Sequence, residues 1–135
     1  MELGKIVNAS HVFGILSGAQ YASFGTLHRV YKFKKKIDEN VTFYNEQERV
    51  IVEKYADKNE NGTVKVQMPE GRISFSEPSA FKSYNEEITK LRETDIPDIE
   101  PLKLSESDFK VMPEITPDTL VALEDVVEFE EEKEN

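Results

Sequence analysis

Residues 23–57, SFGTLHRVYKFKKKIDENVTFYNEQERVIVEKYAD, contain no proline, and their one glycine, Gly25, sits near the start. Such a stretch can run as a single helix about 50 Å long, at about 1.5 Å of rise per residue. Val30, Phe33, Ile37, Val41, Tyr44, Ile51 and Tyr55 follow one another at steps of three, four or seven, which places them on one stripe of that helix. The stripe needs cover, and the rest of the chain must supply it. At 135 residues the chain is one domain by size and can bury an ordinary core.

The side of the helix away from the stripe is basic in its first half. Arg29, Lys32 and Lys36 share a face there, flanked by Lys34 and Lys35. Farther along, Phe43 and Val50 fall on the same far side, so the second half is apolar on two sides and is predicted to be sandwiched. Cover from the chain's own sheet and helices is expected ahead of cover by a partner chain. Glu48 interrupts the stripe between Tyr44 and Ile51. A carboxylate there calls for a pairing Lys or Arg from a neighbouring helix, or for a local gap in the packing.

The remaining elements are read from their punctuation. Leu3, Ile6, Val7, Ser10, Phe13 and Leu16 predict a first helix, with Gly18 as its left-handed stop and a link short enough to fold it back antiparallel on the long one. Asn61-Gly62 and the Pro69, Glu70, Gly71 run predict two turns, which bound short antiparallel strands over residues 63–68 and 72–75. Pro78 opens a third helix carrying Phe81, Tyr84, Ile88 and Leu91 inward. Pro97 and Pro101 restrict residues 95–104 to an edge strand, and residues 109–112 read as another short strand. Thr116 and Pro117 start a short fourth helix with Leu120, Leu123 and Val127 on its buried side. The fold class is therefore α+β and helix-rich: an antiparallel helical hairpin with one long helix, a third and a short fourth helix, and a small antiparallel sheet.

Charge and composition narrow the function classes. The formal charge is −10, but −6 of it lies from Glu124 onward, where seven acids face one lysine. Residues 1–129 are read as the domain and residues 130–135 as an acidic tail too polar to offset the cost of ordering its backbone. The absence of cysteine rules out disulfides, thiolate metal sites and thiol catalysis. The N-terminal 22 residues are too polar for a signal peptide, and no apolar run approaches the ~20 residues of a membrane span.

The order of parts resembles a family of small, uncharacterised proteins encoded by tailed phages and prophages of Gram-positive bacteria. The resemblance is carried by the long basic helix closing in VEKYADKNENG, the hairpin to Pro69, the helix FKSYNEEITKL, the extended IPDIEPLKL and the closing TPDTLVALEDVVEF. It covers most of the chain after Ser23 and least of the first helix. It implies a non-enzymatic accessory or assembly protein of the host cytoplasm, which a virion could also carry, and it supplies no catalytic residues.

The residues themselves present few sites. Asp57, Asn59, Asn61 and Gly62 match the opening of a calcium loop, but Met68 stands where its bidentate glutamate belongs, so a polar helix end and turn is the favoured reading. His11 and His28 lack a second ligand at helical spacing, and no acid is set beside a base or nucleophile in a recognisable pattern. No catalytic, cofactor or metal site is assigned. The candidate interaction surface is Arg29, Lys32, Lys36, Phe43, Glu48 and Val50. A protein partner, phage structural or host, is expected there, nucleic acid is disfavoured by the acidic surroundings, and self-association stays open. The alternative function is an acidic host-directed inhibitor that mimics nucleic acid to occupy a host nucleic-acid-handling protein.

Overall fold

The computed structural model describes residues 1–131. Among them the long helix, α3 (Phe24–Tyr55), runs unbroken for 32 residues. Ser23 caps it, its hydroxyl accepting the Thr26 amide at 3.2 Å. Val30, Phe33, Ile37 and Tyr44 are buried as the spacing predicts, and Thr26 and Val52 join them. Val41, Ile51 and Tyr55 are only half-buried. The fold is α+β.

The first helix is broken where one was expected. α1 (Leu3–Ser10) ends at a turn, and a short α2 (Gly14–Ser17) follows. Gly18 does stop α2, but at φ −94° and ψ 0°, so it closes a right-handed turn and the left-handed reading is corrected. Phe13 meets Phe33 at 5.7 Å between ring centres, whereas Leu3 and Val7 pack with Tyr44 farther along α3. The direction is therefore antiparallel, as the short link required.

Three small strand pairs hold the rest, in place of one small antiparallel sheet. β1 (Gln20–Tyr21), inside the link, pairs antiparallel with β5 (Phe109–Val111). β2 (Val66–Gln67) and β3 (Arg72–Ile73) form the expected hairpin, shorter than predicted, with Gly71 at φ +70° closing its turn. β4 (Leu102–Ser105) lies within the predicted edge segment, but it pairs parallel with β6 (Val127–Glu130). The reading of Val127 as part of the last helix is corrected: α5 (Pro117–Glu124) ends earlier and hands Val126 and Val127 to the turn and strand that follow. A parallel pair needs a crossover, and α5 provides it. β6 also extends through Glu130, one residue into the segment expected to be tail; residues 132–135 lie outside the described residues.

The core sits on the first half of α3. Ile6, Phe13 and Leu16 from the N-terminus meet Leu102 and Leu104 of β4, with Leu123, Val126 and Val127 closing the far side. Each such side chain, taken fully from water, contributes roughly 1.5–3 kcal/mol. The second half of α3 is covered more thinly by α4 (Pro78–Arg92), which has no buried residue of its own. Arg92 fastens α4 to α1, its guanidinium donating to the Asn8 side chain at 2.8 Å and the Gly4 carbonyl at 3.2 Å. The helices touch closely enough that a Cβ on Gly4 would lie 3.0 Å from that of Arg92.

Tyr21 joins the link to the core by stacking on Phe109 at 5.2 Å and donating its hydroxyl to the Leu16 carbonyl. Burial, and then the charge of Asp108, push its pKa up to about 12 from the usual 10.0. The fold thus favours the neutral phenol. The stability gained is fully present below pH 10 and is lost as the pH rises from about 10 toward 12. Denaturant melts of the wild-type and Tyr21→Phe proteins across that range should show the steeper alkaline loss in the wild type alone.

Candidate interaction surface

The basic face of α3 borders a groove rather than open solvent. Arg29, Lys32, Phe33 and Lys36 form one wall, and residues 97–103, with Asp98, Glu100 and Lys103, form the other, around a volume of about 760 Å³. Two of the cations are spent on structure. Arg29 donates to the Lys103 carbonyl at 3.2 Å and pairs with Asp108 at 3.4 Å, while Lys36 donates to the Asp98 carbonyl at 3.1 Å. Among the described residues Lys32 makes no such bond.

Asp108 organises this end of the groove. Its carboxylate accepts the Ser105 amide at 2.8 Å and the hydroxyl of buried Thr26 at 3.1 Å, besides pairing with Arg29. The geometry follows from strand alternation. The Leu102 amide turns to Val126 beside β6, so the backbone groups of Lys103 and Ser105 point the other way, along the unpaired edge of β4. Arg29 and Asp108 occupy those groups. A free strand edge is a template for unwanted pairing, and here it is closed by two side chains.

The other predicted surface residues fall in two places. Phe43 and Val50 are 41% and 53% exposed, so the expectation that the chain itself sandwiches them is overturned. The reason is a shortage of cover: α4 and α1 lie over the buried stripe, and no described element crosses the opposite ridge. Glu48 is half-buried, one helical turn from Tyr44, and no pairing Lys or Arg meets it among the described residues. The Arg92 guanidinium lies 6.0 Å from the Tyr44 ring centre, and the Tyr44 pKa is raised by burial first and by Glu48 next, against the opposing pull of Arg92. Glu48 thus lies on the packed side of α3 near Tyr44 rather than on the exposed ridge.

The sequence reading missed a second exposed row, Phe24, Leu27, His28 and Tyr31. The signal is present in the sequence, since these residues also recur at steps of three and four beside the longer buried stripe. The calcium-like residues serve the hairpin. Asp57 accepts the hydroxyls of Ser74 at 2.7 Å and Ser76 at 2.6 Å, and the Asn61 side chain accepts the Thr63 amide at 3.2 Å. Among the described residues no group of three or more His, Cys, Asp or Glu is placed to hold a metal ion. Among them, too, no helix is long and apolar enough to cross a membrane.

Comparison with models of protein families, with curated proteins and with solved structures returned no match.

Two outcomes follow from these anchors. Asp108→Ala leaves the Ser105 amide and the Thr26 hydroxyl short of an acceptor, and should lower unfolding free energy by about 1–3 kcal/mol in a urea melt. Asp57 has its pKa lowered by the Ser76 and Ser74 hydroxyls, in that order. Its contribution is present above the ordinary value of 3.8 and is lost as the pH falls below it. The protection factors of the Lys65 and Ser74 amides, taken against their intrinsic exchange rates, should therefore fall in acid in the wild type and be low already at neutral pH in Asp57→Asn.

Proposed function

We propose that the protein works by binding another protein, as a phage- or prophage-encoded accessory or assembly factor with no catalysis of its own. The observation that carries this reading is the exposure of Phe43 and Val50, two large apolar side chains seven residues apart on the outer ridge of α3. An apolar pair held on a rigid helix and left open by its own chain is suited to contact with a partner. The phage assignment rests on the resemblance of VEKYADKNENG, FKSYNEEITKL, IPDIEPLKL and TPDTLVALEDVVEF described above.

A second reading, an acidic inhibitor of a host nucleic-acid-handling protein, is favoured by one observation. Glu124, Asp125, Glu128 and Glu130, around the end of α5 and along β6, are all exposed. Negative charge displayed together in this way can stand in for a phosphate backbone.

Affinity capture with the tagged full chain, from cells in which a related prophage has been induced, separates the two. Capture of morphogenesis or virion proteins, lost in a Phe43→Asp and Val50→Asp double variant, is expected. Both positions are exposed, so the variant should keep its stability to within about 0.5 kcal/mol per site. Capture of a host polymerase or nuclease, reduced instead by Glu→Gln changes at 124, 128 and 130, would move the function to the second reading. Recovery of the same proteins by wild type and double variant would sink the role given to the ridge.

A further inference from the structure

The first turns of α3 leave a row of side chains uncovered on the flank away from the groove. Phe24, Leu27 and Tyr31 are 78%, 45% and 58% exposed. Phe24, His28 and Tyr31 stack in succession, with ring centres 5.9 and 6.3 Å apart and planes within 9° and 15° of parallel. At 3.6 residues per turn the four side chains span about 100° of the helix surface. The stack holds the rings in order before any partner arrives, which reduces the side-chain entropy lost on binding.

Charge lies directly beside this row. Lys32 follows His28 by one turn, and Lys35 stands four residues after Tyr31. Arg29, Lys34 and Lys36 are engaged with Asp108, Asp38 and the Asp98 carbonyl, whereas Lys32 and Lys35 make no hydrogen bond or ion pair among the described residues. Two unpaired ammonium groups at the border of an apolar strip are complementary to carboxylates at the border of another. Nucleic acid fits less well. The stack turns ring faces toward one another instead of toward bases, and the chain as a whole carries −10.

We propose that the first three turns of α3 dock an acidic amphipathic helix of a partner protein. Its apolar side chains pack on Phe24, Leu27 and Tyr31, and its flanking carboxylates meet Lys32 and Lys35. This rests on the protein-contact reading above and adds the chemistry of a partner. It concerns a separate surface. Phe43 lies twelve residues beyond Tyr31, about 18 Å along the axis and a third of a turn around it, so one straight helix cannot cover both.

The test uses the isotopically labelled full chain and two synthetic peptides of roughly 18 residues, a length that can become helical on docking. Both carry leucine at i, i+3, i+4 and i+7 spacing; one has glutamate at the polar positions and the other lysine. The glutamate peptide should shift the amide resonances of residues 24–35 and bind about tenfold more tightly than the lysine peptide, as two rim ion pairs would give. Lys32→Glu with Lys35→Glu should reverse that order, and Tyr31→Ser should weaken both, with the far-ultraviolet dichroism unchanged. Failure of the glutamate peptide to bind, equal binding of the two, an order unaffected by charge reversal, or shifts confined to other residues would overturn the proposal. So would a stronger response of the same resonances to oligothymidylate, or their movement with protein concentration alone, which would assign the face to nucleic acid or to a second copy. A negative result here with intact capture through Phe43 and Val50 would leave the protein-contact function standing.

Discussion

Burial of one stripe of α3 is the constraint on which the other elements depend. A helix of 32 residues exposes far more apolar length than any single short element can cover, so the chain divides the task. The first half is enclosed on two sides, by α1 and α2 from the N-terminus and by β4, β6 and α5 from the C-terminus. The second half receives only the edge of α1 and the half-buried face of α4. Packing density, and with it local stability, should thus fall along the helix toward the hairpin.

Where apolar cover is thin, individual polar side chains fasten the elements. Asp108 joins the start of α3 to the turn after β4, Arg92 joins the end of α4 to α1, and Asp57 joins the end of α3 to the segment that follows β3. Each satisfies backbone or hydroxyl groups that would otherwise be stranded between elements too short to form a continuous sheet. Three separate strand pairs are the result: each pair closes a local junction, and none forms a layer of its own.

The same economy explains the outer surface. With the other described elements gathered on the stripe, none of them shields the opposite side of α3, and Phe24, Tyr31, Phe43 and Val50 are left in contact with water. Arg29 and Lys36, which a helical wheel shows as solvated charges, instead bind carbonyls of the segment leading into and along β4. Among the described residues, Lys32 and Lys35, beside the aromatic row, are the cations of this stretch without a partner.

Much of this architecture was legible in the sequence, because local chemistry decides it. Ser23, Pro78 and Thr116 mark helix starts through hydrogen bonds or ring geometry that need no distant partner, and the period of Val30, Phe33, Ile37 and Tyr44 defines a buried stripe wherever the cover comes from. The sequence by itself therefore determined the long helix, its buried face, the hairpin and the α+β class. Only the tertiary structure decided that Val127 leaves the helix to pair with Leu102, that Arg29 closes a strand edge, and that Phe43 and Val50 go uncovered. Those outcomes depend on which segments, far apart in the chain, compete for the same apolar stripe, and a local pattern of side chains records that a face wants cover without recording which segment reaches it first.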